Sequence, residues 1–206
     1  MPARYRSVLL FGPPGVGKGT QGKCLAVVPG FHHLACGDVF RALDRATPMG
    51  QEFLKYSTRG ELVPDALTIE MWKSNMNARV SSGRFDPNRE ILLLDGIPRN
   101  VDQAKALDAS IDVLGIVHLV CSDEEEMVRR MRNRALREGR HDDADEAVIR
   151  NRFDVYRQET APVLSHYSQA MLFTIDATGT PARVLQRVLD ALVPVLEHSL
   201  AAQARA

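Results

Sequence analysis

The residues with the clearest chemical potential form a glycine-rich run near the start of the chain. Gly12 and Gly17 flank four residues and Lys18 follows directly, a spacing typical of loops that bind phosphate groups. Glycines leave backbone N–H groups free to surround phosphate oxygens, and the lysine can reach the outer phosphates. The loop residues expected to bind the phosphates of a nucleotide are Gly12, Pro13, Gly15, Val16, Gly17, Lys18, Gly19 and Thr20.

The position after this lysine departs from the commonest form of the loop. Gly19 stands there, and the hydroxyl comes one residue later, at Thr20. A switch GTPase or a motor ATPase uses a Ser or Thr directly after the lysine to hold Mg²⁺. Thr20 is poorly placed for that task, so we expect nucleotide oxygens and water to hold the metal ion. The departure weighs against both of those classes.

A carboxylate and several arginines could complete a site for phosphoryl transfer. Asp95 ends the apolar run Ile91–Leu94, where a charged group needs a partner or a ligand. We interpret Asp95 as a residue that acts on Mg²⁺ through water, because ligands bind at the carboxyl ends of parallel strands. Phosphoryl transfer requires positive charge on the equatorial oxygens, which arginine supplies through a bidentate fork. Arg130 and Arg134 are four residues apart and share a face of a predicted helix.

The elements that must position these residues alternate between short apolar strands and longer helices. This alternation predicts an α/β protein with a five-stranded parallel sheet flanked by helices, a P-loop NTPase-type core within a single domain, 1–206. Two small insertions, 36–65 and 135–145, interrupt the core. The predicted strands are Ser7–Phe11, His33–Ala35, Ile91–Asp95, Ile116–Val120 and Leu172–Ile175. The predicted helices are Lys18–Val27, Asp38–Thr47, Asp65–Ser81, Val101–Ala109, Glu124–Leu136, Glu146–Gln169 and Ala182–His198.

Composition limits the classes of function that remain. In 206 residues, 26 Lys and Arg balance 26 Asp and Glu, which argues against a protein that coats nucleic acid. No run is long and apolar enough for a membrane span or a signal peptide. Cys24, Cys36 and Cys121 are odd in number and widely spaced, which argues against disulfides and a structural zinc site. We therefore expect a cytoplasmic protein without zinc.

Five short motifs, taken together, resemble a known family. The run from Gly12 to Gln21 resembles the phosphate loop of the adenylate kinases and of their relatives, the UMP/CMP kinases. The resemblance continues, in the same order and with similar spacing, through Gly37–Arg41, Glu61–Asp65, Asp95–Arg99 and Thr160–Pro162, and covers roughly residues 5 to 185. It implies reversible transfer of the γ-phosphoryl group of Mg-ATP to AMP, giving two ADP.

The same resemblance implies roles for further residues. The matching arginines Arg41 and Arg99 would bind the α-phosphate of the acceptor, and Gln103 would recognise the adenine edge. The segment after Gly139 resembles the short lid of animal-type cytosolic enzymes, whose Arg140 would join Arg130, Arg134 and Arg152 around the transferred group. The implied AMP-binding residues are Cys36, Arg41, Glu61, Val63, Gly96, Arg99, Gln103, Arg140 and Arg152.

Three alternatives stay open at this point. A UMP/CMP kinase is one, because Asn100 follows Arg99 as it tends to in that group, and because Cys36 replaces the usual threonine. A catalytically silent nucleotide-binding protein is another, although binding alone would not require Lys18, Asp95 and all the arginines. A small-metabolite kinase is the third, but it would not need the 36–65 insertion. We expect a monomer whose partners are small nucleotides, with no nucleic acid or membrane.

Overall fold

One parallel sheet organises the molecule. The computed structural model describes residues 4–139 and 145–203. Across these ranges five strands form one sheet in the order β2-β3-β1-β4-β5, every neighbouring pair being parallel. The predicted α/β class with a five-stranded parallel sheet is confirmed. The strands are β1 Tyr5–Phe11, β2 Phe31–Ala35, β3 Ile91–Asp95, β4 Ile111–Val120 and β5 Leu172–Asp176.

The apolar strand sequences reflect burial on both faces. Leu92, Leu93 and Leu94 are all fully buried although successive residues point to opposite faces of the sheet. Two clusters of core residues result, with Leu93 in one and Leu92 and Leu94 in the other. The register pairs Leu10 of β1 with Asp95 of β3. The phosphate loop and the carboxylate that follows the leucines therefore emerge side by side.

Helices cover both faces of the sheet and begin close to where the sequence predicts. Two of the predicted helix starts, at Val101 and Glu124, follow side chains that cap the helix. The Asn100 side chain accepts a hydrogen bond from the Gln103 N–H and the Asp123 side chain accepts one from the Glu126 N–H, both at 2.8 Å. The helices are α1 Lys18–Leu25, α2 Cys36–Arg41, α3 Pro48–Ser57, α4 Asp65–Ser81, α5 Val101–Leu107, α6 Glu124–Glu138, α7 Glu146–Val155 and α8 Pro181–Gln203.

The prediction of one helix over Asp38–Thr47 is wrong. The helix ends at Arg41, and a short turn follows in which the Ala46 N–H donates to the Asp44 carboxylate. Thr47 then caps a separate helix, α3, which has Pro48 at its first position. Thr followed by Pro is a known helix start, so the sequence did carry the signal for this element.

The prediction of one long helix over Glu146–Gln169 is also wrong. The α-helix ends at Val155, and a π-helical turn, Tyr156–Thr160, and a 3₁₀ segment, Ala161–His166, continue the chain. Pro162 lacks the N–H that a continuing α-helix needs, which accounts for the change of winding beyond Thr160. The π-helical turn brings Thr160 beside the segment that follows β3, where its hydroxyl donates a hydrogen bond to the Arg99 carbonyl oxygen.

The structure describes all of the first predicted insertion and part of the second. The first, 36–65, contains α2 and α3 and lies between β2 and α4. The second, 135–145, lies partly outside the described residues, and Arg140, His141, Asp142 and Asp143 fall in that part. In the described ranges no helix is long and apolar enough to cross a membrane.

Candidate active site

The loop between β1 and α1 forms a cradle whose shape depends on three glycines. Gly12, Gly15 and Gly17 all have positive φ angles, of 141°, 77° and 110°. A Cβ atom on Gly12 would collide with the Leu119 carbonyl oxygen, and one on Gly15 would collide with the Met127 carbonyl oxygen. Gly17 has open space at that position and is the N-cap of α1. Backbone N–H groups at this helix start are thus available to an anion.

Lys18 lies folded against this cradle. Its Nζ donates to the carbonyl oxygens of Gly12 at 2.6 Å and of Pro13 at 3.1 Å. The pKa of Lys18 is lowered to about 8, mainly by burial and in part by the positive charges of Arg99, Arg152 and Arg134, while the Asp95 carboxylate opposes the shift. An anion that enters the cradle would favour the charged form of Lys18.

Asp95 ends β3 beside the start of α1. Its side chain is 12% exposed, and its Oδ2 lies 3.8 Å from Nε2 of the equally sheltered His33. A Cβ atom on Gly19 would lie 3.5 Å from the same Oδ2. Because glycine occupies position 19, the space between α1 and the carboxylate stays open.

Arginines from four segments surround the cradle. Arg99 donates from Nε to the Gly96 carbonyl oxygen at 2.9 Å, and the Thr160 hydroxyl donates to the Arg99 carbonyl oxygen at 2.7 Å. Arg41 forms an ion pair with Asp38 at 2.7 Å, and its guanidinium lies close to where a Cβ atom on Gly37 would be. Arg152 packs its aliphatic stem against Gly60, whose φ is 73°. Two of these guanidinium groups, those of Arg99 and Arg152, are near enough to act on Lys18.

The remaining predicted arginines lie on or beyond α6. Arg130 donates from Nε to the Glu126 carboxylate at 3.0 Å and belongs to a surface network of ion pairs. Arg134, one turn further on, lies on the same cleft and contributes to the electrostatics of Lys18. Arg140 lies outside the described residues, so its predicted role stays a prediction.

A cleft of about 510 Å³ unites the donor-side residues, within the size range usual for small-ligand sites. A smaller, adjoining cavity lies under α2 and α3 and is lined by Cys36, Glu61, Val63 and Gln103. Gly96, Arg99 and Arg152 line both cavities. The sequence-predicted residues lining the larger cleft are Gly15, Val16, Gly17, Lys18, Gly19, Thr20, Arg41, Asp95, Gly96, Arg99, Arg130, Arg134 and Arg152.

Cys36 lies at the smaller cavity as a neutral thiol. It is buried, and burial raises its pKa to about 11. Cys24 and Cys121 are also free, and within the described ranges no group of three or more His, Cys, Asp or Glu residues could hold a metal ion. The expectation of a protein without zinc stays a prediction.

Gln103 lies deeper and is more constrained than its sequence context suggests. Its side chain is buried, with the residue only 1% exposed. The Arg99 backbone N–H donates to its Oε1 at 2.8 Å, and its Nε2 donates to Asp65 at 2.7 Å. Part of the carboxamide is therefore already committed to the protein.

Sequence reasoning missed three residues that the fold brings to this region. The sequence gives His33 no role beyond the start of a predicted strand, yet its Nε2 is buried beside Asp95, without a hydrogen-bond partner in the described part of the chain. Asp65 ends the Glu61–Asp65 motif and starts a predicted helix, but neither observation predicts its contact with Gln103. His118 of β4 bonds Tyr156 at 3.1 Å beside the phosphate loop. No local sequence pattern predicts these contacts: His33 reaches Asp95 because β2 pairs with β3, and the other contacts join elements that are distant in the chain.

Comparisons with known proteins agree over most of the chain. A family model described as Adenylate kinase matches residues 10–172. A protein named Adenylate kinase from Thermus thermophilus is 40% identical over 194 residues, covering 91% of this chain and 97% of the relative. Similar proteins of the same name occur in Thermobifida fusca, 41% identical over 191 residues (90% and 97%), and Mycolicibacterium vanbaalenii, 42% identical over 190 residues (90% and 98%).

Proposed function

This chain belongs to the adenylate kinase family and catalyses reversible transfer of the γ-phosphoryl group of ATP to AMP, and we propose that the two adjoining cavities are its donor and acceptor sites. One observation carries the assignment of the site. Lys18 lies within the electrostatic reach of Arg99, Arg134 and Arg152. These four cationic side chains also line one cleft, and their convergence supports a site for several phosphate groups.

On the donor side, the loop from Gly12 to Thr20 holds the β- and γ-phosphates of ATP. Backbone N–H groups at the start of α1 donate to phosphate oxygens, and Lys18 leaves the Gly12 and Pro13 carbonyls to contact the transferred group. Arg130 and Arg134 face the triphosphate from α6. This arrangement recognises phosphate rather than a particular base.

The residues near Asp95 fit a hydrated magnesium ion. The open space at Gly19 in front of the Asp95 carboxylate leaves room for a coordinated water, and no hydroxyl at position 19 competes for it. Asp95 would hold such a water by a hydrogen bond, with nucleotide oxygens as direct ligands. When bound, Mg²⁺ supplies positive charge to the phosphate oxygens. Its presence here is part of the proposal.

On the acceptor side, AMP lies beneath the 36–65 insertion. Arg41 and Arg99 bind its α-phosphate, Cys36, Glu61, Val63 and Gly96 border it, and Gln103 faces the base. Arg152 and Arg140 complete the clamp around the transferred group. Arg99 and Arg152 border both cavities, so they can stabilise charge on the phosphoryl group during transfer.

Closure of the insertion over AMP would exclude water, which would otherwise accept the phosphoryl group. The acceptor phosphate is already an oxyanion and needs no strong general base. We propose that the protein works as a cytoplasmic monomer on small nucleotides, without zinc.

A coupled assay of ADP release tests this proposal. Purified protein with Mg-ATP should phosphorylate AMP at a rate far above that with UMP, CMP or GMP, and omission of Mg²⁺ should abolish turnover. The exposed Lys73 provides a control, because Lys73→Ala should behave as wild type. Absence of turnover with AMP in a folded protein that still binds ATP would contradict the proposal.

A further inference from the structure

A closed hydrogen-bond network surrounds the carboxamide of Gln103. Its Oε1 accepts from the Arg99 backbone N–H at 2.8 Å. Its Nε2 donates to Oδ1 of Asp65 at 2.7 Å. Asn100 donates from Nδ2 to both carboxylate oxygens of Asp65, at 2.9 and 3.1 Å, and its Oδ1 accepts from the Gln103 backbone N–H. The carboxylate is thus anchored by the helix start that carries the glutamine.

These partners determine which end of the carboxamide is oxygen and which is nitrogen. Rotating the group by 180° would place the amide nitrogen against the Arg99 N–H and the amide oxygen against the Asp65 carboxylate. The first contact would join two donors, and the second would join two acceptors, one of them charged. The residue is only 1% exposed, so water cannot relieve either contact.

A carboxamide has two lone pairs and two N–H groups, and the protein uses one of each. One acceptor and one donor remain, at fixed places. The Watson–Crick edge of adenine presents an amino donor and a ring-nitrogen acceptor. A 6-oxopurine presents the reverse order, a carbonyl acceptor and a ring N–H donor, which a glutamine free to rotate would match equally well.

We propose that Asp65 is a specificity-determining residue that holds Gln103 in the one orientation suited to a 6-aminopurine. Asp65 acts through Gln103 and does not contact the base. The inference rests on the proposed placement of AMP against Gln103. The same proposal gives Asn100 a function, because its side chain anchors the Asp65 carboxylate. Asn100 then no longer indicates a pyrimidine nucleotide as the acceptor.

The test compares AMP with IMP as acceptors, because the two differ at position 6 and its adjacent ring nitrogen. In Asp65→Asn the amide can either donate or accept, so the reversed orientation of Gln103 loses its repulsive contact with position 65 and keeps only the one with the Arg99 N–H. The kcat/KM preference for AMP over IMP should fall at least tenfold, with the KM for ATP unchanged. Asp102→Asn makes the same chemical change at an exposed position of α5 and should leave the preference as in wild type.

A second variant covers the case in which Asp65→Asn does not fold. Asn100→Ser keeps a side-chain cap for α5 but removes the two hydrogen bonds that the Asn100 amide donates to Asp65. This variant should lower the kcat/KM preference for AMP over IMP several-fold. An unchanged AMP-to-IMP ratio in a folded Asp65→Asn protein, or equal losses with both acceptors, would overturn the inference. A wild type that prefers UMP or CMP to AMP would instead contradict the acceptor assignment itself.

Discussion

The donor and acceptor sides of the cleft are built in different ways. The donor side is mainly backbone: three glycines with positive φ shape the loop, and carbonyls of Leu119 and Met127 close it from behind. The acceptor side is mainly side chains, and its base-facing glutamine takes its orientation from Asp65 and the Arg99 N–H. Phosphate is common to all nucleotides and suits a backbone cradle, whereas choosing a base requires fixed donors and acceptors.

This difference predicts that the two sides can be damaged separately. A change in the cradle should affect every acceptor equally, because it removes phosphate binding or transition-state charge. A change in the network around Gln103 should alter the ratio between acceptors and leave ATP binding intact. Three arginines border both cavities and are the exceptions to this separation: Arg41, Arg99 and Arg152.

The largest expected effect is on the donor side. Lys18→Ala should lower kcat/KM with AMP by about a thousandfold or more, because it removes a principal charge contact to the transferred group. The folded state should persist, since the hydrogen bonds of Lys18 to the described residues are to loop carbonyls. Steady-state kinetics with a thermal melt would check both points, and a loss below about tenfold would remove Lys18 from the mechanism.

The next effect belongs to the acceptor side alone. Wild type should favour AMP over UMP and CMP by about a hundredfold in kcat/KM, because a pyrimidine leaves polar groups of the site unpaired. Gln103→Ala should shrink that ratio, while calorimetric titration shows nearly unchanged ATP affinity. A parallel loss of ATP affinity would mean that the two sides are not separable.

The pH dependence of ATP binding should report on the cradle. Burial lowers the pKa of Lys18 to about 8, so the free protein loses this charge as the pH rises through that value. Phosphates bind the charged form, so ATP affinity should be insensitive to this group below pH 8 and should weaken by up to about tenfold per pH unit above it. Lys18→Arg keeps its charge at these pH values and should remove the dependence; an equal dependence in that variant would assign it to another group.

The smallest effect should come from a residue that supports α6 without touching the cleft. Asp123→Ala removes the cap hydrogen bond to Glu126 N–H and should cost about 1 kcal/mol of stability, seen as a lower unfolding midpoint in urea. Activity with AMP should remain that of wild type. Asp123→Asn retains a capping oxygen and should recover most of the stability, whereas failure to do so would assign the effect to charge.

The two sides also differ in how far they can be predicted from sequence. Gly12–Thr20 forms the donor loop within one continuous segment, so its spacing alone indicates both the structure and the chemistry. Asp95 can be predicted as a site residue because a charged side chain directly follows a run of leucines. Each strand is likewise indicated by one short apolar run of neighbouring residues, and β3 has the predicted bounds.

The acceptor side depends on contacts between distant segments. Asp65 and Gln103 are separated by 38 positions, and only the packing of α4 against α5 brings them together. Helical periodicity continues through Tyr156–Thr160, so the sequence does not show that the winding changes there and carries Thr160 to the Arg99 carbonyl. His33 reaches Asp95 only because β2 and β3 are neighbours in the sheet.

Binding of diadenosine pentaphosphate tests most directly whether two nucleotide sites meet at one phosphate channel. This molecule joins two adenosines through five phosphates and can fill both sites with a single association cost. Calorimetry should show one molecule bound per chain, far more tightly than AMP, with protection of the 36–65 insertion from proteolysis. Affinity no greater than that of AMP, or displacement by AMP without displacement by ATP, would contradict the account.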